Sequence, residues 1–230
     1  MIKNELSEYL ESLGASLVGF ADLSNFDTSS FNNMNYGIAF GIKIGSKIIE
    51  AINEGPTKEY YEEYTQLNKD LDNIVISCVK YIEDIGYNAI GQTSTYVTSD
   101  NKLTTPLPHK TVATRAGLGW IGKNALLITP KYGSAIRISS VITNMPLLTD
   151  IPINESKCGT CTNCVNTCPA SAIKGTLWNF ASTREELLDP FKCRKKAREL
   201  SNAKIGIEIS LCGKCIEVCP FTKRYTRLHH

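Results

Sequence analysis

The hydrophobic pattern of the first half of the chain changes period several times. Lys3 to Leu13 repeats its apolar residues at helical spacing, and Ser16-Leu-Val-Gly-Phe-Ala21 follows as a strand. A second strand is predicted over Tyr36-Gly-Ile-Ala-Phe-Gly-Ile-Lys-Ile44, whose two glycines permit close backbone approach. Residues 57–85 form a long amphipathic helix with Gly86 as its stop. In it Leu71, Ile74, Val75, Cys78, Val79 and Ile82 make one apolar stripe, which predicts a buried core thiol at Cys78. The span 88–97 resembles a strand, and 98–108, with Asp100-Asn101 and two prolines, a loop. Residues 125–129 and 134–143 suggest a hairpin around Lys131-Tyr132-Gly133.

Beyond residue 150 cysteine takes over the pattern. Eight of the nine cysteines lie between Cys158 and Cys219. The first phrase is Cys158-Gly-Thr-Cys161-Thr-Asn-Cys164-Val-Asn-Thr-Cys168-Pro169, the run found in two-cluster ferredoxins. The second, Cys212-Gly-Lys-Cys215-Ile-Glu-Val-Cys219-Pro220, is one cysteine short, and Cys193 is available to complete it. Three cysteines at this spacing wrap a short loop round one face of a cubane. Proline after the last suits the first position of a helix, so a helix is expected after both Cys168 and Cys219. In two-cluster ferredoxins that last cysteine ligates the other cluster. Applied here, Cys158, Cys161, Cys164 and Cys219 hold one [4Fe–4S] cluster, and Cys168, Cys193, Cys212 and Cys215 the other.

Zinc is the weaker reading, because zinc motifs present two cysteines per loop without a close third and a Cys-Pro. A disulfide framework is weaker still. The start of the chain has no apolar signal-peptide core, which suggests a reducing cytoplasmic setting. No apolar stretch is long enough to span a bilayer. The net charge of +2 says little, but residues 192–230 carry ten Lys or Arg against three Glu. Such a tail offsets cluster charge or meets an acidic partner or RNA. Too few aromatics interleave with its lysines to favour RNA.

The pattern as a whole predicts an α+β protein: a sandwich-like α/β domain over 1–150, then a double-cluster ferredoxin-like domain over 151–230. One more segment stands out, Ala113-Thr-Arg-Ala-Gly-Leu-Gly-Trp-Ile-Gly-Lys-Asn124. Three glycines in six residues make either a tight helix-to-strand connection or a loop that comes close to a ligand. It matches neither the Rossmann nor the Walker spacing.

Ala116-Gly-Leu-Gly-Trp-Ile-Gly-Lys-Asn124, the later Val141-Ile-Thr-Asn-Met-Pro-Leu147 and the two cysteine phrases together resemble the epoxyqueuosine reductase family, related to reductive dehalogenases. The resemblance implies a cobalamin that receives electrons from the two clusters. It also implies a pocket faced by Gly117, Gly119, Lys123 and Asn124, and a reducing partner such as a ferredoxin or flavodoxin. The family's proton-donating aspartate aligns with Leu103, which leaves Asp100 and His109 as candidate donors. Few residues follow Cys219, so the helical repeats with which some members grip tRNA are not expected. A small or nucleoside-like substrate is therefore favoured over tRNA. The alternative is an electron carrier that reduces a partner protein and has no substrate of its own.

Overall fold

The computed structural model of the chain describes residues 2–94 and 101–228. In chain order it contains α1 (Ile2–Ser12), β1 (Leu17–Asp22), β2 (Tyr36–Lys43), α2 (Ser46–Ala51), α3 (Lys58–Asp84), β3 (Ala89–Gly91) and α4 (His109–Arg115). There follow β4 (Trp120–Ile121), β5 (Leu127–Ile128), β6 (Ile136–Thr143), α5 (Asn163–Asn166), α6 (Arg184–Leu187), α7 (Pro190–Ile205), α8 (Lys214–Glu217) and α9 (Pro220–Arg227). They sort into two compact units. Among the described residues the first comprises 2–42, 66–94, 101–119 and 137–153; the second comprises 43–65, 120–136 and 154–228.

The first unit is built on a sheet of order β1-β2-β6-β3. Strands β1 and β2 pair antiparallel, with Phe20 opposite Ile38 and Ala21 opposite Gly37. Alternation along these strands gives the sheet two different faces. Phe20, Ile38 and Phe40 join Leu6 and Leu10 of α1 and Leu71, Ile74, Val75, Cys78 and Ile82 of α3 in one core cluster. The other face carries Gly19, Ala21, Gly37 and Ala39. A Cβ at Gly19 would lie 2.5 Å from the Ala116 carbonyl oxygen, and one at Gly37 would lie 2.7 Å from Val112 Cγ1. Small residues thus let α4 and the turn after it sit directly on the strands.

The expected stripe on α3 is the core stripe, and Cys78 is fully buried, its thiol pushed up to about 12 by burial. Gly86 ends this helix with a left-handed φ of 89° and an N–H bonded to the Glu83 carbonyl. The strand expected over 88–97 is confined to β3 among the described residues; 95–97 lie outside them, as does Asp100.

The hairpin over 125–143 is not formed. Strand β5 pairs instead with β4, while β6 joins the four-stranded sheet. A bridge between Thr129 and Gly133 is what remains of it. The reason is local to the second unit, where the turn is held from outside. Gly133 stands against Thr222, whose hydroxyl accepts from the Ser134 N–H at 3.1 Å.

In the second unit the small β4–β5 ladder, α2, α8 and α9 enclose a separate core. Trp120 packs edge-on against Phe221, with ring centroids 4.9 Å apart, and Tyr132 packs likewise against Tyr225 at 5.2 Å. The Tyr225 hydroxyl donates to the Ile44 carbonyl at 2.8 Å. Helices α5 and α8, one from each cysteine phrase, pack on each other. Among the described residues, no helix is long and apolar enough to cross a membrane.

Candidate metal centre

The two cysteine phrases begin on different turns, each with a glycine at its second position. Gly159 and Gly213 follow the first cysteine of each and have φ of 53° and 83°, a region that favours glycine. At Gly213 the space is taken as well: a Cβ would lie 2.4 Å from Ile52 Cδ1. Gly213 is itself the N-cap of α8, which carries Cys215, whereas α5, which carries Cys164, is capped by Thr162, three residues after Gly159.

The phrases end differently. Cys219 is the N-cap of α9 and Pro220 its first residue, as the Cys-Pro pair predicts. Pro169 starts no helix, contrary to the parallel expectation. The chain turns instead, with Ser171 at φ 46°, and the Ala172 N–H donates to Cys168 Sγ at 3.4 Å. Cys193 reaches the group from the first turn of α7. That helix is capped by Asp189, whose carboxylate accepts from the N–H groups of Phe191 and Lys192.

Cys158, Cys161, Cys164 and Cys219 line one small cavity of about 30 Å³, together with Lys123, Asn124, Ile128, Pro220 and Phe221. Burial, then the sulfurs of Cys158, Cys219 and Cys161, push the Cys164 thiol up to about 11. Around the other four, burial raises Cys193, Cys212 and Cys215. Cys168 and Cys212 act further on Cys193, and Cys212, Cys193, Cys164 and Cys168 on Cys215. The structure therefore brings the eight cysteines into two neighbouring groups of four. All nine cysteines are free of disulfides.

The donor chemistry suits a four-iron cube. Crowded thiols hold their protons, and thiolate ligation needs a metal's positive charge to release them. Among the described residues no three Cys, His, Asp or Glu converge closely enough to hold a single ion. The first four sulfurs instead stand round a cavity wall. A cube, with an iron at each of four corners, is served by ligands spread in this way; a lone zinc, about 2.3 Å from each sulfur, is not.

The segment after α4 has a divided role. Gly117 has φ 67°, and a Cβ there would lie 2.8 Å from the Ile151 carbonyl oxygen, so the chain itself fills the space its missing side chain leaves. Gly119 is buried. Lys123 and Asn124 face the cysteines. Lys123 Nζ donates to the Cys161 carbonyl at 2.9 Å, and Asn124 Nδ2 to the Cys215 carbonyl at 3.3 Å. One residue ties down the loop of the first phrase and its neighbour that of the second. Sequence reasoning passed over Ile128 and Phe221 as cavity walls; Phe221 was signalled only by its place two residues after Cys219. Trp120 Nε1, on the ring packed against Phe221, is a buried donor without a partner.

His109 lies at the start of α4, and burial, assisted by Arg137, lowers its pKa to about 4, with Asp72 opposing. Its Nδ1 is 2.9 Å from Ser140 Oγ, which also accepts from Gln92 Nε2 at 2.7 Å. The imidazole is neutral at pH 7 and lacks the near-neutral pKa that suggested a proton donor. Leu103 adopts φ 60°.

Two four-cysteine groups on a ferredoxin-like module define a double-cluster iron–sulfur protein, and residues 157–222 match the family described as "4Fe-4S double cluster binding domain". The relatives extend this. A Cyclobacterium marinum protein named epoxyqueuosine reductase is 32% identical over 178 residues, 74% of this chain and 51% of its own. A Bacillus anthracis protein of the same name is 37% identical over 124 residues, 51% of this chain and 30% of its own. The chain is thus an epoxyqueuosine reductase-like iron–sulfur protein whose matched segment spans about half or less of these relatives. An epoxyqueuosine reductase solved with a tRNA-Tyr stem loop shares the fold, with a TM-score of 0.62 and 23% identity over 96% of this chain and 65% of that one. So does a reductive dehalogenase solved in the context of B12-dependent dehalogenation, with a TM-score of 0.67 and 19% identity over 96% and 33%.

Proposed function

We propose that the protein is a reductase in which the eight cysteines hold two [4Fe–4S] clusters and the electron acceptor is a cobalamin, serving reduction of a small or nucleoside-like substrate. When bound, the clusters supply one-electron transfer and the cobalamin a strongly reducing cobalt centre. The observation that carries the reading is the gathering of the two cysteine phrases into adjacent groups of four, with Lys123 and Asn124 bonded to one loop of each. The chain's own residues do four things here. Cysteines bind iron, Gly159 and Gly213 allow the turns, Pro220 starts the helix behind Cys219, and Ile128 and Phe221 keep water from the first cavity. A ferredoxin or flavodoxin is the expected reductant. Cobalamin rests on the B12-dependent neighbour.

A second reading, an electron carrier without a substrate, has one observation in its favour. Of the four residues expected to face a corrinoid, Gly117 is filled by Ile151 and Lys123 and Asn124 serve the cysteine loops. No step through cobalamin is derived from them. EPR of the anaerobically reconstituted protein with added cob(II)alamin separates the two. A base-off cobalt signal supports the reductase; cobalt spectra of the free cofactor beside intact cluster signals refute the corrinoid and leave the carrier.

A further inference from the structure

Lys123 is the one buried lysine among the described residues, 6% exposed. The residue lines the cavity of Cys158, Cys161, Cys164 and Cys219, and its ammonium is anchored on that cavity's Cys161 loop. Its partner there is a neutral group, the Cys161 carbonyl. That bond satisfies one of three N–H donors and none of the charge. Glu217, the one buried carboxylate among the described residues, is engaged by Lys223 instead. A buried ammonium is costly unless an anion faces it. The anion that belongs in this cavity is a four-thiolate cluster, with about two negative charges oxidised and about three reduced.

Among the described residues the second group has no buried lysine of this kind. Cys168 Sγ accepts a backbone N–H from Ala172. Lys214, which Cys212 senses, is partly exposed to solvent and bonds the Asn53 carbonyl. Water screens a charge at such a site far more than one buried as Lys123 is.

We propose that Lys123 tunes the cluster of Cys158, Cys161, Cys164 and Cys219 to a higher reduction potential than its neighbour, making it the site where a single electron settles. Reduction adds one negative charge to the cluster, and Lys123 favours the reduced state because its charge is buried and anchored on the Cys161 loop that holds that cluster. The inference rests on assigning those four cysteines to one cluster.

The test is an EPR-monitored redox titration of the full chain, reconstituted without oxygen, as wild type, Lys123→Met, Lys123→Gln and Lys123→Arg, with iron counted first. In wild type two midpoints are expected. In the Met variant the higher one falls by at least tenfold in the reduction equilibrium, about 59 mV for one electron, and the lower one stays. Arg keeps both near wild type. Gln keeps a donor for the Cys161 carbonyl without the charge, so it must fall as Met does, and it replaces Met if Met loses iron. An unmoved midpoint in an iron-replete neutral variant overturns the role of Lys123. Equal shifts in Arg and Gln overturn it too, because geometry rather than charge is then responsible. Iron absent from the wild-type chain overturns the cluster assignment itself, and this role with it.

Discussion

Acidification from pH 7 to pH 4.5 should remove on the order of 2–3 kcal/mol of stability through His109 alone, at about 1.4 kcal/mol for each pH unit of separation. The ordinary imidazole pKa of 6.5 falls to about 4 in the fold, with burial the first cause. Above 6.5 neither state is protonated and the contribution is complete. Between 6.5 and 4 the unfolded chain binds a proton that the folded chain refuses, so stability falls as pH falls. Below 4 the loss levels off. The groups facing His109 do not reverse this: Arg137 adds to the depression, Asp72 opposes it weakly, and Ser140, held by Gln92, suits a neutral ring. Native-state hydrogen exchange of the β6 amides, corrected for intrinsic pH dependence, reads the effect within the first unit. His109→Gln should flatten the curve by that amount relative to wild type. Identical pH slopes in the two proteins would refute the reasoning.

Gly133→Ala should cost about 2–4 kcal/mol, because φ 58° disfavours a side chain and the new Cβ would meet Thr222 N at 2.3 Å; a thermal melt and the iron retained near Cys219 check it. Lys223→Ala should cost about 2–3 kcal/mol by stranding the carboxylate of Glu217, 7% exposed, while Glu217→Gln should cost less; urea midpoints of the two variants compare them.

Most of the first unit was legible because its elements obey clean periods. The stripe ending at Ile82 and the alternation of Phe20, Ile38 and Phe40 against Gly37 and Ala39 carry both the core and its thin face. That the cysteine phrases form a double-cluster module was legible too, since their spacing matches that of such domains. The hairpin misled because what holds Gly133 is Thr222, 89 positions further on, and no local signal announces such a contact. Pro169 failed for a related reason. Proline permits a helix start without compelling one, and the segment after it turns at Ser171 instead. Lys123 and Asn124 were singled out as facing a ligand; that they also grip Cys161 and Cys215 depends on contacts 38 and 91 residues away.

Iron content in paired cysteine variants tests the central claim most directly. The account predicts that Cys161→Ala with Cys219→Ala removes one cluster, leaving about four of about eight irons, whereas Cys193→Ala with Cys219→Ala leaves neither cluster intact. Loss of both clusters from the first pair, or survival of one in the second, would contradict it.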